Sequence, residues 1–177
     1  FEYTTSRPNG APLRLNDIPI VNFLEQIAAD FELEAQKRHM AIEVSSENRD
    51  VVLELDAEKM VRVINNLLSN AIKYGHENST ILMEVLKKEG VITIAVRNEG
   101  DPISKEVLDQ LFTRFYRAEG SRSKETGGTG LGLAIAENIV HSHGGIMFAE
   151  SENGQTSFYV CLPTENQGSL KEMTNHK

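Results

Sequence analysis

The apolar positions of residues 57–74, "AEKMVRVINNLLSNAIKY", keep a helical period throughout. Met60, Val63, Ile64, Leu67, Leu68, Ala71 and Ile72 fall at i, i+3, i+4, i+7, i+8, i+11 and i+12, one continuous core-facing stripe. Asp56 stands where a helix of that span needs its N-cap. Upstream, "VNFLEQIAADFELEAQKR" places Phe23, Leu24, Ile27, Ala28, Phe31 and Leu33 at roughly helical spacing, which predicts a helix over 21–38. The period changes to two in "MAIEVSS" and "VVLELD", the signature of strands. "TILMEVLKKEGVITIAVRN" predicts a hairpin turning at "KKEG", and "SKEVLDQLF" a short helix. A helix over 131–142 is stopped by Gly144 and Gly145, and "GIMFAESENGQTSFYVCLP" forms a last hairpin turning at Asn153-Gly154. Helices intermixed with antiparallel hairpins predict an α+β fold, a two-layer sandwich with helices on one sheet face.

The flanks break these patterns. Residues 1–12 end in a Pro/Gly/Asn cluster and read as a leader, its opening "FEYTTSR" being the end of an upstream helix and linker. Residues 13–163 then form the domain, and the polar stretch from 164 to 177 reads as a disordered tail. A chain of 177 residues, 40% hydrophobic and 25% charged, suffices for one sizeable core. No apolar run approaches the ~18 residues of a membrane span and no signal-peptide pattern opens the chain, so no direct membrane contact is expected of these residues. A single cysteine fits a reducing compartment, the cytoplasmic side of a membrane-anchored protein. The lone Cys161 excludes an internal disulfide; its alternating neighbours predict a small buried strand residue rather than a nucleophile. A net charge of −8 argues against a general nucleic-acid binder, whose affinity rests on basic surface.

Two stretches carry chemistry. "GGTGLGLAIA", residues 127–136, puts four glycines in six positions where a helix begins, although each glycine costs a helix roughly 1 kcal/mol relative to alanine. Helix-start amides lack intrahelical partners, and chain without side chains lets them approach an anion closely. Gly128, Gly130 and Gly132 would give that approach, with Leu131 and Leu133 anchoring the segment in the core. A flexible turn uses the same residues, and no Lys-Ser/Thr follows them, so this is not a P-loop. In the 57–74 helix, Asn66, Asn70 and Lys73 form a stripe beside the apolar face. A solvated polar face is the plain alternative. Asparagine is, however, disfavoured in helix interiors by roughly 0.6 kcal/mol, and amide oxygens suit Mg²⁺ beside phosphate oxygens. Lys73 could neutralise phosphate charge. Between these stretches, Asn98 and Gly100 in "VRNEGDPI" are also ordinary turn residues.

Taken in order, "NNLLSNAIKYG", "RNEGDPI", "LFTRFYR" and "GGTGLGLAIA" resemble the four boxes, N, G1, F and G2, of the ATP-binding catalytic domain of sensor histidine kinases, within the gyrase/Hsp90/MutL-type superfamily. The asparagine-type second box resembles that of vancomycin-resistance sensor kinases. The resemblance covers about residues 13–163 and implies a Bergerat-type fold: a mixed sheet of about five strands, three helices on one face and a mobile lid, here 116–128. It implies ATP and Mg²⁺ as ligands. Asn70 matches the Mg²⁺-ligating asparagine and Asn66 the residue a turn earlier that helps order the phosphates. Lys73 and Tyr74 match the phosphate-contacting lysine and the aromatic beside the nucleotide. Phe112 and Phe115 match the box that packs the lid hinge. Arg117 matches an arginine reaching the γ-phosphate, with Arg122 a second candidate. Gly128, Gly130 and Gly132 match the phosphate-side glycines, and Gly100, Ile103, Thr129, Leu131 and Leu133 complete the nucleotide contacts. Asn98 replaces the family's usual aspartate, which accepts from the adenine amino group, and Pro102 replaces a glycine.

Hydrolysing members of the superfamily carry a glutamate where this chain has Asn66, which cannot take a proton from water. The resemblance therefore implies transfer of the γ-phosphate to a histidine on a dimerisation domain of the same kinase, and onward to a response regulator. None of His39, His76, His141, His143 and His176 has the setting of that acceptor, and a solvated or capping role is expected for His141 and His143. Two rivals stand beside this: a degenerate module kept for protein contacts, and an ATP-hydrolysing clamp.

Overall fold

The computed structural model describes residues 12–112 and 132–164. The stripe on residues 57–74 becomes helix α3 (Ala57–Tyr74), and all seven of its stripe residues are buried. Asp56 caps it, its carboxylate accepting from the Lys59 amide at 3.1 Å. The predicted 21–38 helix is two: α1 (Ile20–Asp30) and α2 (Glu32–Lys37), broken at Phe31 with φ −100° and ψ 2°. Neither glycine nor proline marks the break; Phe31 itself packs against the core. The restart changes the helical phase, so Leu33, expected on the apolar face, is 74% exposed while Ala35 is buried.

The main sheet has the order β2 (Ala41–Ser46), β4 (Thr80–Lys88), β5 (Val91–Glu99), β7 (Gln155–Pro163), β6 (Ile146–Glu152). β2 and β4 run parallel and the other pairs antiparallel, making a mixed five-stranded sheet. The stretch "VVLELD" is indeed a strand, β3 (Val52–Leu55), but it lies outside this sheet. It pairs instead with β1 (Asn16–Pro19), a polar, proline-ended segment without strand alternation. Both hairpins turn where the sequence indicates. Glu89-Gly90 and Asn153-Gly154 all take positive φ, the combination that fits the right-handed twist of a two-residue hairpin.

Helices α1, α3 and α5 (Gly132–Ser142) cover one sheet face, packing against β2 and β4, β5, and β6 respectively. The short α4 (Lys105–Gln110), capped by Ser104, packs on β6. The core lies between the layers, built around Leu24, Met60, Ile64, Leu68, Met83, Ile94 and Val160. The opposite sheet face closes over itself. Arg97 donates to Glu84 at 2.9 Å and to the Tyr159 hydroxyl at 2.8 Å, and Tyr159 stacks on Phe148. Fully buried Ala95 lies opposite both Glu84 and Tyr159 in the strand register. Cys161, expected to be buried, is half-buried on that outer face, within 3.4 Å of the Thr93 hydroxyl.

Candidate functional site

Helices α3 and α5 run in opposite directions, and a polar contact fixes each end of their overlap. At one end the Asn66 side chain donates from Nδ2 to the carbonyl oxygen of Gly132, the first residue of α5, at 3.1 Å. At the other, His143, just past α5, accepts at Nε2 from the backbone N–H of Asp56 at 3.0 Å. Its Nδ1 lies 2.8 Å from the Ile139 carbonyl, which can only accept, so Nδ1 carries the proton. Burial pushes the His143 pKa below its ordinary value, against the raising effects of the Ile139 carbonyl and the Asp56 carboxylate; the Lys59 ammonium adds to the lowering. Burial alone would raise the Asp56 pKa, yet the amides of Arg14 and Lys59, with the Lys59 charge, bring it below the usual carboxylate range. His143 is thus a neutral structural imidazole, and its capping role takes the form of an acceptor for α3's N-cap residue.

The second wall is the turn after β5. Asn98 is 6% exposed, at the end of β5 on the face that meets the helices. Its Nδ2 donates to the Glu99 carbonyl at 3.2 Å, and among the described residues nothing donates to its Oδ1. The close approach needs Gly75: a Cβ there would come within 2.5 Å of the Ala71 carbonyl and 3.4 Å of the Asn98 Cβ. Gly75 and Gly100 bridge, the His76 amide donates to Glu99 at 2.7 Å, and Gly100 donates to Gly154 at 3.0 Å. The Ile103 amide donates to the Ser151 hydroxyl at 3.0 Å. The turn therefore hangs between the end of α3 and the β6–β7 hairpin. Arg38 holds that end of α3, donating to the carbonyls of Ile72 and Lys73.

Asn66 and Asn70 are half-buried on α3, while Lys73 and Tyr74 are exposed at its end. Asn98, Gly100 and Ile103 form the turn beside that end; Gly132 and Leu133 open α5 against Asn66. Phe112 is half-buried, its ring 6.2 Å from that of Phe158. Phe115, Arg117, Arg122, Gly128, Thr129, Gly130 and Leu131 lie outside the described residues. Gly132 has a local reason beyond any phosphate: a Cβ there would meet Asn66 Oδ1 at 3.0 Å. Sequence reasoning missed Gly75, Arg38, Ser151 and the buried contact of His143. Of these, only Gly75, directly after the helix, carried a sequence signal. A groove of about 500 Å³ between α1, α2 and β2, lined by Ala28, Ala35, Ile42 and Val44, lies at the other edge of the sandwich from α5.

A family model described as histidine kinase-, DNA gyrase B- and HSP90-like ATPase matches residues 55–166, which span α3, the β5 turn and α5. The chain belongs to this family. It is 37% identical over 153 residues to the sensor histidine kinase WalK of Bacillus subtilis, covering 85% of this chain and 25% of WalK. It is 36% identical over 165 residues to the sensor protein VanS of Enterococcus faecium, covering 92% of this chain and 42% of VanS. The chain thus spans less than half the length of either relative. The nucleotide-free catalytic domain of the histidine kinase ThkA superposes with a TM-score of 0.77 at 25% identity, over 86% of this chain and 97% of that domain. ThkA is also solved with the response regulator TrrA. The five-stranded mixed sheet with its helix layer is the histidine kinase catalytic fold, and the chain is an ATP-binding catalytic domain of the sensor histidine kinase type.

Proposed function

We propose that this domain holds Mg·ATP between α3, the β5 turn and the start of α5. It donates the γ-phosphoryl group to a histidine on a dimerisation segment of the same kinase, from which it passes to a response regulator. The convergence of Asn66 and Asn70 with Asn98 and Gly132, from three separate stretches of the chain, at one end of the helix layer supports this reading. In the transfer, the acceptor imidazole's lone pair forms the new N–P bond, the bond from phosphorus to the β–γ bridging oxygen breaks, and ADP leaves. Such a step asks the protein for positioning and charge neutralisation above all.

Asn70 fits a magnesium ion carried by phosphates. It offers a hard neutral oxygen, and among the described residues no hydrogen bond engages its side chain. No cluster of three or more His, Cys, Asp or Glu among the described residues could hold a metal unaided. Bound there, the ion would draw charge from the triphosphate. Lys73, exposed at the end of α3, would face the same phosphates, and Tyr74, 47% exposed, would lie along the nucleotide. Asn98 Oδ1 would accept from the adenine amino group. Arg117, Arg122 and the glycines 128 and 130 would close on the triphosphate. Asn66 supplies no base, which favours an incoming imidazole over water.

Calorimetric titration with a non-hydrolysable ATP analogue, with and without Mg²⁺ and beside the GTP analogue, tests the reading. Magnesium-dependent binding that prefers adenine is expected. Absence of binding at millimolar ligand would reject it and leave the fold as a protein-contact module. No helix among the described residues is long and apolar enough to cross a membrane.

A further inference from the structure

We infer that Asn66 is a positioning residue that acts on the nucleotide through α5 rather than by touching it; the inference rests on the nucleotide-site reading above. The orientation of its amide is the reason. Phosphate oxygens accept hydrogen bonds, so only Nδ2 could serve them, and Nδ2 is turned to the Gly132 carbonyl at 3.1 Å. Its Oδ1 packs against the Cα of Gly132, so closely that a Cβ would lie 3.0 Å from it. Both ends of the amide therefore face the first turn of α5. In the reading above that turn borders the nucleotide, and its position is set by where Gly132 is held.

Asn66 and Gly132 form one latch. The side chain donates, the glycine gives it room, and neither works without the other. The latch also accounts for asparagine rather than a carboxylate at this position: an acid there would place an oxygen against the Gly132 carbonyl with no proton between them. At the far end of α5, the His143–Asp56 contact holds the helix in the same register, so loss of the latch should free the first turn while α5 stays packed.

The test is a double-mutant cycle with Asn66→Ala and Gly132→Ala in this chain, reading ATP-analogue affinity by calorimetry and amide exchange by NMR. Gly132→Ala keeps the Asn66 amide free to turn to a phosphate and removes only its room against α5, so a direct phosphate contact would tolerate it. Each single variant is expected to weaken Mg·ATP-analogue binding by a similar factor, roughly two- to tenfold, the range one neutral hydrogen bond commands. The double variant should bind no worse than either. The Ala136 amide, which bonds to the Gly132 carbonyl in the helix, should exchange faster in both singles well below their melting temperatures. The inference is overturned if Gly132→Ala binds like the parent while Asn66→Ala does not, if the two losses multiply, or if Ala136 exchange is unchanged. Should the parent chain itself fail to bind, the nucleotide reading falls, and the exchange measurement alone decides the latch. If Gly132→Ala does not fold, Asn66→Asp, which loses the donor at constant size, takes its place in the exchange arm.

Discussion

At the scale of single residues, Asn70 and Asn98 present different chemistry from the same amide group. Asn70 is half-buried with a side chain engaged by no described neighbour, so its removal should cost the fold little. Asn70→Ala is expected to abolish most of the magnesium dependence of ATP-analogue binding and leave the melting temperature within a few degrees of the parent. A collapsed melt would make Asn70 structural and end its assignment as the metal ligand. Asn98 is buried and donates to the Glu99 carbonyl. Asn98→Asp exchanges that donor for a charged acceptor and sets it against the carbonyl oxygen. The variant should lose about 1–3 kcal/mol of stability in urea unfolding without ligand. It should bind the adenine analogue more tightly at the same time, because charge-assisted bonds are roughly twice as strong as neutral ones. A variant that is less stable and also binds more weakly would show that Asn98 does not meet the base.

At the scale of elements, the α3–α5 pair ties stability to pH. Neutral His143 satisfies both ring nitrogens, and a proton on Nε2 would set two donors face to face at Asp56. Its folded pKa lies below 6.5, so the unfolded chain binds that proton more readily and stability falls as pH drops below about 6.5. Asp56 works lower: its depressed pKa stabilises the fold above about 3.8 and the benefit is lost as pH falls through the acid range. Around the imidazole stand the Asp56 carboxylate, the Lys59 ammonium and the Ile139 carbonyl; the Asp56 carboxylate, its pKa lowered, keeps its charge between pH 5 and 8. Urea midpoints of the parent and of His143→Gln across that range should diverge as the parent titrates. Parallel curves would show that the imidazole is not coupled to folding. This contact also marks what the chain makes legible. The α3 stripe, both hairpin turns and the Asp56 cap are local periodicities and turn chemistries, so they can be read along the chain. The small β1–β3 sheet cannot: "NDIP" has no alternation, and its partner lies far along the chain, Asn16 opposite Leu55. The break at Phe31 and the exposure of Leu33 come from tertiary packing, and a histidine bonded across 87 positions leaves no local trace. Of the candidate site, the four motifs could be picked out along the chain by resemblance, while the hydrogen bonds around the β5 turn and the end of α3, involving Ser151, Gly154, His76 and Arg38, could not.

At the scale of the molecule, one sheet face is covered by helices and the other carries the Arg97–Glu84–Tyr159 network. A phosphoryl acceptor within this chain is a specific alternative that the geometry argues against. His143 has both nitrogens engaged. His141 is exposed near the far end of α5 from Gly132, 4.0 Å from Glu137. His76 precedes Glu77, yet it lies in the turn leaving α3, its ring 3.0 Å from the Asp101 carboxylate and its amide bonded to Glu99. His39 takes a positive φ in the turn before β2, at the opposite edge of the sheet from α5. His176 lies outside the described residues. A chain that binds Mg·ATP with no base at Asn66 and no acceptor in reach among the described residues should therefore hold the nucleotide intact. Incubated with γ-labelled ATP and Mg²⁺, it is expected to show neither acid-labile phosphate on the protein nor phosphate release above the uncatalysed rate. Adding a separately prepared helical segment that bears the parent kinase's acceptor histidine should restore labelling of that segment, and Asn70→Ala should remove it. Phosphohistidine on the chain alone, at His76 in particular, would place the acceptor inside this domain and overturn the division of labour proposed for it.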